Sequence, residues 1–91
     1  MRSIRTLING KQWTIKFVRK IRSEGEDCYG LCNLDKREIR VEAGLSGQPL
    51  ANTIIHEMIH AAGWHIDEQF VEQTASDIGA ALYHPSVQER L

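Results

Sequence analysis

The sequence predicts an α+β fold: a small twisted antiparallel or mixed sheet of N-terminal strands, packed on one helix that is followed by a second, C-terminal helix. Three observations carry this. Residues 4–42 read as strands, with period-two alternation at 12–18 and 38–42, which suits half-buried strands. Apolar residues recur at helical spacing across residues 50–82. Between these stretches, residues 43–48 hold two glycines and read as a loop. The chain has 91 residues and a mass of 10.4 kDa, which suits one domain spanning 1–91. A core this small gains usefully from a bound metal.

In the first half, Asn9-Gly10 is the sharpest local signal. A tight hairpin turn needs positive φ at both central residues, and Asn followed by Gly tolerates it best. The turn joins strands at 4–8 and 12–18, with Trp13, Ile15 and Phe17 on one face of the second. Residues 23–27 (Ser-Glu-Gly-Glu-Asp) read as a polar loop. A second pair of strands follows at 29–33 and 38–42, turning near Asp35-Lys36. In the last of these, Ile39 and Val41 point one way and Glu38, Arg40 and Glu42 the other, a pattern expected of an edge strand.

In the second half, Pro49 suits a first helical position, where its missing N–H costs nothing. Leu50, Ile54, Ile55, Met58, Ile59 and Ala62 form one broad apolar arc, and Gly63 stops the helix. Asp67 reads as the N-cap of the next helix, with Glu68 in its first turn, where the dipole favours negative charge. Phe70, Val71, Thr74, Ala75, Ile78, Ala81 and Leu82 form the stripe expected to be buried, and Pro85 ends the helix.

Composition narrows the function classes. Forty-two per cent hydrophobic and 25% charged residues exclude a disordered or low-complexity chain. A net charge of −1 gives no overall attraction to nucleic acid or to an anionic membrane. No apolar run reaches signal-peptide or membrane-spanning length, so the expected location is the cytoplasm. Cys28 and Cys32 are too few for a disulfide scaffold and read as reduced, half-buried small side chains.

The chemistry centres on His56-Glu57-Met58-Ile59-His60, an HExxH motif. Residues i and i+4 on a helix lie one above the other, so His56 and His60 can grip one zinc ion. Both fall off the apolar arc, about 40° apart at roughly 100° per residue. Glu57 projects beside them, where a carboxylate can act as general base on a water activated by the metal. A catalytic zinc takes a third protein ligand and keeps one open position. Glu68 is favoured, because it borders the apolar stripe where the second helix meets the first. Glu72, one turn later, and His65, just after Gly63, are the alternatives. Glu72 would otherwise orient a ligating histidine as a supporting carboxylate.

Residues 53–60, Asp67-Glu68-Gln69-Phe70-Val71-Glu72 and the upstream Gly30-Leu31-Cys32 and Glu38-Ile39-Arg40-Val41 resemble the small zincin metallopeptidase-like proteins of phages and prophages. These are similar to the minigluzincins and the ImmA/IrrE family. The resemblance implies a zincin-like fold, a zinc ion on His56, His60 and Glu68, and Glu72 as the carboxylate supporting a ligand. It also implies an extended substrate held along an edge strand, here Glu38–Glu42, and, for a phage-encoded chain, the host cytoplasm as location. SprT-like proteins share HExxH with a downstream His as third ligand, and His65 keeps that resemblance open.

The expected function is therefore a zinc-dependent metallopeptidase acting on a peptide or protein. The alternative is a zinc-stabilised, non-catalytic protein-interaction module of phage origin. Tyr83 and His84 are oxyanion-stabilising candidates, but a helix-end Tyr and a terminal His fit them better. Trp13 and Trp64 read as core packing. Arg37 and Arg40 read as a solvated strand face, and Thr53 as a helix-surface hydroxyl.

Overall fold

The computed structural model describes residues 2–23, 26–63 and 65–91. Glu24 and Gly25 of the expected polar loop, and Trp64, lie outside the described residues. The fold is α+β, with a mixed four-stranded sheet from the N-terminal half followed by the helices.

Strands β1 (Ser3–Ile8) and β2 (Lys11–Val18) pair antiparallel through the Asn9-Gly10 turn. Asn9 has φ 51° and Gly10 φ 76°, the two positive values that a primed turn demands. Strands β3 (Ile21–Ser23) and β4 (Glu26–Cys28) pair with each other in a separate ribbon, so strand backbone occupies both ends of the expected loop. Strands β5 (Gly30–Asn33) and β6 (Glu38–Glu42) pair antiparallel around a turn in which Arg37 has φ 50°.

The sheet order is β1-β2-β6-β5, which corrects one expectation. β6 is an interior strand, parallel to β2 on one side and antiparallel to β5 on the other. The edge nearest the helices is β5, so an extended partner cannot pair along Glu38–Glu42. Alternation along a strand reports which face is covered, not whether both flanks are paired. Outer-face Glu38 is in fact buried, and it ion-pairs with Lys16 at 3.2 Å and Arg40 at 2.9 Å.

The inner face of the sheet carries the core. Ile15, Ile39 and Val41 are almost completely buried beside Trp13 and Ile8. Helix α1 (Gly47–Ala62) lays Leu50, Ile54, Met58 and Ala61 against them. It begins two residues before Pro49, which still lies in the first turn, where N–H groups have no helical acceptor. Gly63 ends α1 as expected, but not through a left-handed cap, since its φ is −148°. Instead, a Cβ there would stand 2.6 Å from Ile66 Cδ1, so the turn needs the space.

Helix α2 (Glu68–Leu82) starts at Asp67, whose carboxylate accepts the Phe70 N–H at 3.0 Å. Its buried line is Val71, Ala75 and Gly79, narrower than the expected stripe. Phe70, Ile78 and Leu82 are 58%, 40% and 41% exposed. α2 packs chiefly on α1 rather than on the sheet, so one neighbour covers one stripe. The short helix α3 (Pro85–Gln88) is capped by His84, whose Nδ1 accepts the Ser86 N–H at 3.1 Å. No described helix is long and apolar enough to cross a membrane.

Candidate metal centre

Helical spacing and the tight turn after α1 assemble the site. His56 and His60 stack one turn apart, with ring centroids 4.9 Å apart in an edge-on arrangement. Helix α2 then starts close enough to α1 that its first residue faces them. His56 Nε2 lies 2.9 Å from Glu68 Oε1, and His60 Nε2 lies 2.9 Å from Glu68 Oε2. One carboxylate thus spans both imidazoles. The three ligand atoms lie within 4.8 Å of one another, and this group could hold a metal ion.

The donor set suits zinc chemically. Ligand atoms at roughly 2.0–2.2 Å from a tetrahedral zinc stand about 3.3–3.6 Å apart, a span this cluster reaches with small adjustments. Two nitrogens and one carboxylate leave a fourth position, the pattern of a catalytic rather than a structural site. His65 and Glu72 do not join the cluster, and both are exposed. Glu72 instead lines a cleft that His56 also lines.

Glu57 departs from the sequence-based picture. It does not merely project beside the histidines; at 8% exposure it is the one buried residue of α1. It turns under β5, where a Cβ on Gly30 would lie 3.0 Å from its Oε2. Burial, with the neighbouring Glu68 carboxylate, pushes the Glu57 carboxyl up to about 7. A carboxylate poised near neutrality is suited to taking and returning protons. Periodicity could not flag this, because Glu57 lies at the margin of the apolar arc and its cover comes from a distant part of the chain, Gly30 among it.

Two clefts meet at Gly30 and Glu57. One, of about 330 Å³, is bounded by Leu31, Cys32, His60, Ile66 and Glu68. The other, of about 420 Å³, is bounded by Tyr29, Asn52, Thr53, His56 and Glu72. The smaller runs beneath the edge strand β5, and the larger opens at the Gly30 end of that strand. Cys32 is a half-buried free thiol, as expected, and burial together with the Glu57 charge pushes it up to about 11. Cys28 is likewise free and half-buried, its thiol 3.7 Å from the Ile21 carbonyl. Tyr83 and His84 serve as helix caps at the far end of α2, as their helix-end reading had it.

No curated protein and no solved structure matches the chain. The family model described as SprT-like matches residues 3–74, from β1 into α2 and across the whole HExxH segment. The expected likeness to minigluzincins and ImmA/IrrE proteins is met at the coarser level, that of a zincin-like, metallopeptidase-type domain. With most of its length covered by that match, this chain belongs to the SprT-like family.

Proposed function

We propose that the protein is a zinc-dependent peptidase, with His56, His60 and Glu68 holding the metal and Glu57 acting as general base. The observation that carries this reading is the convergence of the two Nε2 atoms and a Glu68 oxygen within 4.8 Å, with Glu57 buried beside them. Zinc, when bound, supplies a Lewis acid that acidifies water and polarises the peptide carbonyl. The chain's own residues do the rest. Glu57 takes the proton of the attacking water and returns it to the leaving amine. β5 offers unpaired N–H and C=O groups to an extended peptide, which would lie over the two clefts. The substrate strand is thus proposed along Gly30–Asn33.

The test is the Glu57→Gln variant, loaded with zinc and assayed on unfolded protein substrates. It is expected to keep one zinc per chain and to lose at least about a hundredfold in cleavage rate, the scale of a general base. Equal cleavage by variant and wild type would overturn the role of Glu57. Purified chain with no bound metal would overturn the zinc site.

A further inference from the structure

Resting on the peptidase reading above, we infer that the larger cleft is a specificity pocket for a cationic substrate side chain, lysine or arginine, next to the cleaved bond, and that Glu72 is the residue that selects it.

The pocket's chemistry is one-sided. It holds about 420 Å³, room for one long side chain, and it opens beside His56 and Glu57, where the scissile bond would sit. None of its lining residues is Lys or Arg. The deficit extends well beyond the pocket, since residues 43–88, which build both long helices, contain no Lys or Arg at all. Among the described residues the Glu72 carboxylate has neither an ion-pair nor a hydrogen-bond partner.

One further group in the wall is an acceptor. Thr53 gives its hydroxyl proton to the Pro49 carbonyl at 2.8 Å, so its oxygen is left only to accept. With the Glu72 carboxylate it gives the wall its acceptors. An ammonium or guanidinium supplies three to five N–H donors and no acceptor, which complements such a wall; a carboxylate side chain meets repulsion and an apolar one leaves the acceptors unmet. The second cleft differs, since its wall includes Leu31, Cys32 and Ile66. The selectivity therefore belongs to one side of the scissile bond.

The test uses the zinc-loaded full chain and two synthetic peptide pools, identical except for arginine or citrulline at one fixed position. Citrulline keeps the shape and loses the charge. Cleavage sites are read by mass spectrometry, and binding of the same peptides to the Glu57→Gln variant is read by fluorescence anisotropy. Expected is an arginine preference of about fivefold to tenfold, on one side of the cut only, the scale of a charge-assisted hydrogen bond. Glu72→Gln is expected to bring that ratio to within about twofold, with zinc affinity and unfolding temperature unchanged. Equal use of arginine and citrulline by wild type, or an undiminished preference in Glu72→Gln, overturns the inference. If the wild type cuts neither pool, the peptidase reading fails by itself. The pocket is then judged by binding, where an arginine preference lost in the Glu57→Gln/Glu72→Gln double variant supports it and its absence overturns it.

Discussion

Gly30 and Glu57 are in direct apposition: a methyl group on the strand residue would sit 3.0 Å from both Cγ and Oε2 of the helix residue, and 2.8 Å from Thr53 Cγ2. At Gly30 the strand therefore approaches the proposed base through backbone alone. Gly30→Ala is expected to push β5 from α1, at a stability cost of about 1–3 kcal/mol from overpacking. It should also uncover Glu57. Denaturant unfolding measures the first effect. Proteolytic activity, expected to fall while zinc content is kept, measures the second. A variant as stable and active as wild type would show that the strand moves freely.

The site's third member can be separated from its sequence neighbour. Glu68→Ala is expected to weaken zinc binding by at least about a hundredfold, since even supporting residues around a metal are worth roughly ten- to a hundredfold. His65→Ala is expected to stay within about twofold of wild type, because His65 is exposed in the turn and outside the cluster. Competition against a chromophoric chelator reads both. The reverse order would make His65 the ligand.

On the opposite face of the sheet, Glu38 sets a pH dependence. Its hydrogen bond from Arg40, aided by Lys16, holds its carboxyl below the usual 4.5. A folded-state value depressed in this way means that the native chain binds fewer protons than the unfolded chain. The resulting stabilisation is complete above about pH 5 and fades as pH falls through the lowered value. Glu38→Gln is expected to lose about 1–2 kcal/mol at pH 7, given that its side chain is only 11% exposed while Lys16 and Arg40 are 39% and 48% exposed. The gap between variant and wild type should shrink below pH 4. Urea unfolding at pH 7 and pH 3.5 checks the sign.

The α1–α2 interface depends on a close approach of a different kind. A Cβ on Gly79 would stand 1.5 Å from Asn52 Oδ1, so Gly79→Ala must displace the amide or the helix. The single variant is expected to lose about 1–3 kcal/mol. In an Asn52→Ala background the same substitution should cost far less, since the colliding group is gone. Equal costs in the two backgrounds would mean that the helices separate for another reason.

Much of this protein is legible one segment at a time. Asn9-Gly10 announces its turn because positive φ is a property of those two residues and needs no neighbours. The same holds for Asp67, whose carboxylate reaches an N–H three residues on, and for His56 and His60, which helical geometry alone superposes. What lies between segments is decided elsewhere. Whether β6 is an edge depends on β2 and β5 claiming both its flanks, and alternation within five residues carries no record of that. Phe70 and Ile78 look as apolar as Val71, yet α2 meets chiefly one neighbour and only one stripe is covered. Glu57 becomes a buried, near-neutral carboxyl because Gly30 passes over it, and Glu68 meets the histidines because the turn at Gly63 is tight enough to bring α2 back. Dihedral preference and i,i+4 spacing act over a few ångströms of contiguous chain, and the sequence by itself determined what rests on them; burial and convergence depend on groups that only the folded chain brings together.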